Sequence, residues 1–94
     1  MNTASEFLHK AAELMKQRGQ QYDKQEGERS MGKAVAAFNL ITGQSLSEAE
    51  GWLLLQILKD VRQWQVPDGY HADSAEDCVA YAALKAEALS KQTV

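Results

Sequence analysis

Apolar side chains recur at helical spacing along most of the chain, and nowhere alternate as a half-buried strand requires. Phe7, Leu8, Ala11, Leu14 and Met15 predict a first helix over about residues 4–18. A Thr3/Glu6 capping box opens it, each side chain satisfying a free first-turn N–H, and Gly19 is its natural stop. Met31, Ala34, Val35, Phe38 and Ile41 predict a second helix over about 29–42, ended by Gly43. Ser47 and Glu50 form another capping box and open a third helix, which runs to about residue 65 and stops before Pro67. Its apolar arc of Leu53, Leu54, Leu55, Ile57, Leu58, Val61 and Trp64 covers more than half the circumference. Such a helix is expected to be central, or to touch neighbours on two sides. Asp73 with Glu76, or Ser74 with Asp77, caps a fourth helix over about 74–90, with Ala75, Cys78, Val79, Ala82, Ala86 and Leu89 as its main core stripe. Residues 19–28 are polar with two glycines, and 66–72 contain Pro-Asp-Gly; both read as loops.

Four helices of similar length joined by short loops predict an all-α, up-and-down four-helix bundle. The 94 residues form one domain, short enough that a single core is marginal and self-association is a natural way to bury more surface. The two-sided apolar character of helices three and four points to a homo-oligomer, most simply a symmetric dimer. With 45% hydrophobic and 24% charged residues, the chain reads as globular rather than disordered. The single Cys78 excludes an internal disulfide and fits a reducing, cytoplasmic compartment. No apolar run approaches the roughly 20 residues of a membrane span. A net charge of −3 without a basic run argues against nonspecific nucleic-acid binding, while small anionic ligands need only a few local cations.

The candidate chemistry lies where polar residues interrupt apolar stripes. Arg18 continues the Phe7, Ala11, Leu14 stripe, and Tyr22 follows four residues on. Arg62 borders the apolar arc of helix three, three residues after Lys59. Asp73, Asp77 and Tyr81 line up on helix four opposite its main core stripe, continued by Leu84 and Ala88. Two readings stand side by side. Acids at a helix N-terminus favour the macrodipole by themselves, and the arginines can simply pair with them. Taken together, Arg18, Arg62, Asp77 and Tyr81 suit a pocket on which the helices converge. Trp52 falls among Gln56, Lys59, Asp60 and Gln63 on the polar face of helix three, which reads as an exposed interface anchor or a base-stacking surface. Neither a Gly-rich phosphate loop nor a zinc cysteine pair is present, and His9, His71, Ser30 and Ser74 have no catalytic context. Asp73 and Asp77 would hold Mg²⁺ only if the bundle brought further carboxylates, such as Glu48 or Glu50, to them.

The order Arg18-x-x-x-Tyr22-Asp23, Lys59-x-x-Arg62, then Asp73-Ser74-x-x-Asp77-x-x-x-Tyr81 resembles a family of small phage and prophage proteins of unknown function, over roughly residues 5–88. That family is similar to the nucleotide-modification-associated domains and, distantly, to the all-α nucleotide pyrophosphohydrolases of the MazG and dimeric dUTPase type. The resemblance implies an oligomeric helical protein in a host cytoplasm, whose carboxylates would hold Mg²⁺ against nucleotide phosphates. The sequence departs from the enzymes' Glu-x-x-Glu and Glu-x-x-Asp pairs: helix two has no acid between Met31 and Ile41, and Asp73 and Asp77 are four apart. Few aligned acids favour a non-catalytic nucleotide binder, with Arg18, Lys59 and Arg62 on phosphates and Tyr22, Trp52 or Tyr81 stacking. In a phage setting such a binder would sequester a nucleotide signal of host defence or tune nucleotide pools. The competing expectations are a Mg²⁺-dependent pyrophosphohydrolase, and a helical adaptor that docks on a host protein through Trp52.

Overall fold

A computed structural model describes residues 3–18, 30–67 and 69–92, which form four helices and no strand. They are α1 (Ala4–Arg18), α2 (Ser30–Thr42), α3 (Glu48–Gln65) and α4 (Ala72–Gln92), so the first three predicted helices match to within one residue. Local chemistry sets these ends. Glu6 N–H donates to Thr3 Oγ1 at 3.1 Å and Thr3 N–H to Glu6 Oε1 at 3.2 Å, the expected reciprocal cap. Ser47 and Glu50 repeat it on α3 at 2.8 and 3.1 Å, and these hydrogen bonds hold the Glu50 carboxyl below its ordinary pKa. Gly43 follows α2 at φ 74°, a backbone conformation that a side chain disfavours. Asn39 ties the following loop to α2: its amide donates to Leu46 O at 2.9 Å and its carbonyl accepts from Leu46 N–H at 2.8 Å.

The start of α4 differs from the prediction. Neither Asp73 nor Ser74 is the cap: the helix begins at Ala72, and Ser74 N–H donates to His71 Nδ1 at 3.2 Å. An imidazole nitrogen can accept from the first turn, although His is not among the residues preferred at this position. Asp73 becomes an exposed first-turn acid instead.

The helices pack in the spatial order α1–α4–α3–α2, with the α3–α4 hairpin at the centre. Both central helices turn unexpected faces inward. On α3 the buried residues are Ala49, Gly51 and Trp52, with Leu55, Gln56, Lys59 and Gln63 half-buried. The apolar arc points outward: Leu54 is 60% exposed and Trp64 85%. On α4 the buried residues are Ser74, Asp77, Ala80 and Ala88, while Ala86 and Leu89, expected in the core, are exposed. Trp52, Ala49 and Ala88 form the central cluster, flanked by Met31, Leu55, Tyr81 and Leu84. Ala11 and Ala80 are buried where α1 and α4 meet, small side chains that let two helix backbones approach.

Gly51 sets the α2–α3 contact. A Cβ built there would lie 2.5 Å from Met31 Sδ and 2.9 Å from Val35 Cγ1. The Met31 sulfur can swing aside, but a β-branched valine is stiff and buried. Overpacking of this kind costs about 1–3 kcal/mol, against a gain of about 1 kcal/mol in helix propensity. Gly51→Ala is therefore expected to lower the melting temperature, by about 4–8 °C per kcal/mol lost in a domain of this size. A thermal melt followed by circular dichroism checks the sign. A higher melting temperature would mean that α2 does not press on this position.

Candidate functional site in the α3–α4 seam

The faces that α3 and α4 present to each other are polar and aromatic, and their contacts follow an antiparallel register. At the loop end, Gln63 accepts from His71 N–H at 2.9 Å and donates to Gly69 O, bracing the turn between the helices. Lys59 Nζ lies 2.9 Å from Asp77 Oδ2, with only 13% and 12% of the two side chains exposed. The Cys78 thiol donates to Asp60 Oδ1 at 3.4 Å. At the far end, Trp52 and Tyr81 stack with ring centroids 5.6 Å apart and planes 27° from parallel. Gln56 sits between these groups on α3, and its buried Oε1 accepts no hydrogen bond from the described residues.

Of the four side chains predicted to converge, Asp77 and Tyr81 lie in this seam, together with Lys59, predicted as a phosphate-binding residue. Lys59 forms an ion pair with Asp77, while Arg62, also predicted to converge, is exposed one turn along. The side chain of Arg18, and all of Tyr22 and Asp23, lie outside the described residues. Trp52 is a correction. It is 3% exposed and stacked on Tyr81, so it is a core residue and not an exposed anchor. Its polar companions Gln56, Lys59 and Gln63 marked the face as solvated, yet that face meets the polar stripe of α4. A polar face can be buried when its partner supplies the complementary groups.

Asp73 is exposed and Asp77 buried, on successive turns of α4. Among the described residues no three His, Cys, Asp or Glu side chains gather in a metal-ligand group. Ser74 Oγ is 2.7 Å from His71 Nδ1, a pair that resembles a nucleophile and its base. Ser74 is 1% exposed, however, and the same nitrogen caps the helix, so the pair is structural. Sequence reasoning gave Gln63 and His71 no structural role: Gln63 bonds to backbone atoms of the loop, and His71 caps α4 through Ser74. Comparison with family models, with curated proteins and with solved structures gives no match for this chain.

Removing Lys59 takes an opposite charge away from the largely buried Asp77 carboxylate, which costs more than the pair itself contributes. Lys59→Met is expected to lower stability by about 2–3 kcal/mol, toward the low end for buried pairs because both side chains keep some solvent. Adding Asp77→Leu should recover most of that loss. Urea unfolding at one fixed protein concentration measures the cycle, and two losses that simply add would show that the pair is not coupled.

Burial, together with the hydrogen bond and negative charge of Asp60, pushes the Cys78 thiol above its ordinary pKa. Cys78 is expected to react with a disulfide reagent at pH 7–8 more slowly than a free thiol does. Asp60→Asn removes the charge that disfavours the thiolate and should speed the reaction. An unchanged or slower rate in that variant would rule out this cause.

Proposed function

We propose that this chain binds a nucleotide, or a similar phosphorylated small molecule, at the α3–α4 seam without turning it over. The observation that carries the reading is the Lys59–Asp77 pair, held in place beneath the surface. The Lys59 ammonium has three donors, and Asp77 fixes its position while leaving donors for a phosphate oxygen. Arg62 adds an exposed guanidinium one turn along, with the planar fork that suits phosphate. The same pair argues for binding over hydrolysis. The ammonium beside Asp77 already balances its charge, which weakens the attraction of that carboxylate for Mg²⁺. The Tyr81 ring, stacked on Trp52, offers a flat and rigid wall at the opposite end of the seam.

Sequestration of a host-defence nucleotide, or tuning of nucleotide pools, is the finer reading. It rests on the resemblance of the Arg18, Lys59 and Asp73 motifs to phage proteins. The test is a thermal-shift screen against mono-, di-, tri- and cyclic nucleotides, each with and without Mg²⁺. A ligand at 100 times its Kd stabilises by about 2.7 kcal/mol, which shifts the melting temperature by well over 5 °C in a domain of this size. At least one nucleotide is expected to do so. Arg62→Ala should abolish the shift while leaving the melting temperature of the free protein unchanged, because Arg62 is exposed. No shift with any nucleotide would reduce the seam to a structural ion pair. A Mg²⁺-dependent hydrolysis product, lost in Asp77→Ala, would make the protein a pyrophosphohydrolase instead.

A further inference from the structure

We infer that the outward face of α3 is the interface with a second copy of this chain. The face is made of Leu53, Leu54, Ile57, Leu58, Val61 and Trp64, all at least 40% exposed. At 100° per residue these six side chains occupy an arc of about 140°, which holds no charged residue between Leu53 and Trp64; Glu50, in the first turn, lies on the same side of the helix. The arc is independent of the seam, which uses the opposite side of the helix.

Three observations select a second copy as the occupant. The first is size. Six large apolar side chains are at least 40% exposed on one face of one helix, in a 94-residue chain short enough that association with a second copy is a common way to bury such area.

The second is spacing. Leu54, Ile57, Val61 and Trp64 follow the i, i+3, i+7, i+10 pattern of a and d positions over two heptads. A face with that pattern is complementary to itself across a two-fold axis, and needs no different partner surface. An apolar cleft of about 300 Å³ between α2 and α3, walled by Phe38 and Leu54, extends the face and can receive a side chain from the opposing copy.

The third is what the chain has left to offer. Residues 19–29 contain one tyrosine and no aliphatic side chain, so their chemistry does not suit this arc. The chain's own buried hydrophobic residues are mainly alanines, with Val35 and Trp52 the larger ones among those described, so the large aliphatic side chains must find their burial elsewhere. No helix here is long and apolar enough to cross a membrane, and the arc spans less than half of a helix circumference.

Sedimentation or light scattering at about 10–100 µM tests the inference. The wild-type chain is expected at twice its 10.4 kDa mass, and Ile57→Asp with Val61→Asp at the monomer mass. A wild type at 10.4 kDa throughout that range would overturn it, and would leave a different protein as the occupant. So would a double variant that stays dimeric. If the variant does not fold, the wild type decides alone. Dimer-coupled unfolding raises the melting temperature by about 3–4 °C per tenfold increase in concentration. A melting temperature that does not move over a hundredfold range would end the proposal.

Discussion

The pairing of Lys59 with Asp77 is the constraint on which the rest of the arrangement depends. Two opposite charges held 2.9 Å apart and largely shielded from water carry a desolvation cost, which their mutual attraction helps to offset. The pair therefore fixes which face of α3 meets α4, and at which register. The contacts on either side agree with it: Gln63 on the loop, Asp60 with Cys78, and Trp52 on Tyr81 all belong to the same antiparallel alignment. A slip by one turn would break every one of them, so the seam specifies one structure more sharply than a row of leucines could.

That specificity has a structural consequence. By turning its polar and aromatic side toward α4, α3 leaves its leucines, isoleucine, valine and Trp64 pointing outward. The interior of the single chain then consists largely of alanines around Trp52, with little aliphatic volume. Small side chains allow close helix approach, as Gly51 does for α2, but each buries little surface. Hydrophobic stabilisation scales with the area removed from water. The architecture thus separates two tasks: the inner faces of the hairpin set geometry, and the outer face holds the apolar area still available for burial.

The same separation bears on the proposed ligand. A binding group is most useful when its position is set before the ligand arrives, because little ordering is then left to do on binding. Lys59 is held by Asp77, Asp77 sits on a helix braced at its start by His71 and Gln63, and Tyr81 is held by Trp52. Arg62 is exposed on the same helix as Lys59. The seam and the outward arc occupy opposite sides of α3, so the proposed ligand and the proposed second copy would not compete for the same side chains.

The sequence by itself determined the four helices and most of their ends. Capping boxes, the glycine stop at Gly43 and the break before Pro67 act within a few residues, so local chemistry is sufficient to place them. It also singled out Asp77 and Tyr81, aligned on α4, and Lys59, three residues before Arg62 at the border of the apolar arc. What it could not determine was which face of α3 and α4 would be inside. Periodicity ranks faces by hydrophobicity and assigns the most apolar one to the core. That ranking fails when two polar faces satisfy each other, since a buried lysine beside a buried aspartate is tolerated where either alone is not. Trp52 therefore looked exposed and is buried, whereas Leu54 and Trp64 looked buried and are exposed. Only the tertiary structure decided this, because complementarity belongs to a pair of helices and is not present in either helix alone.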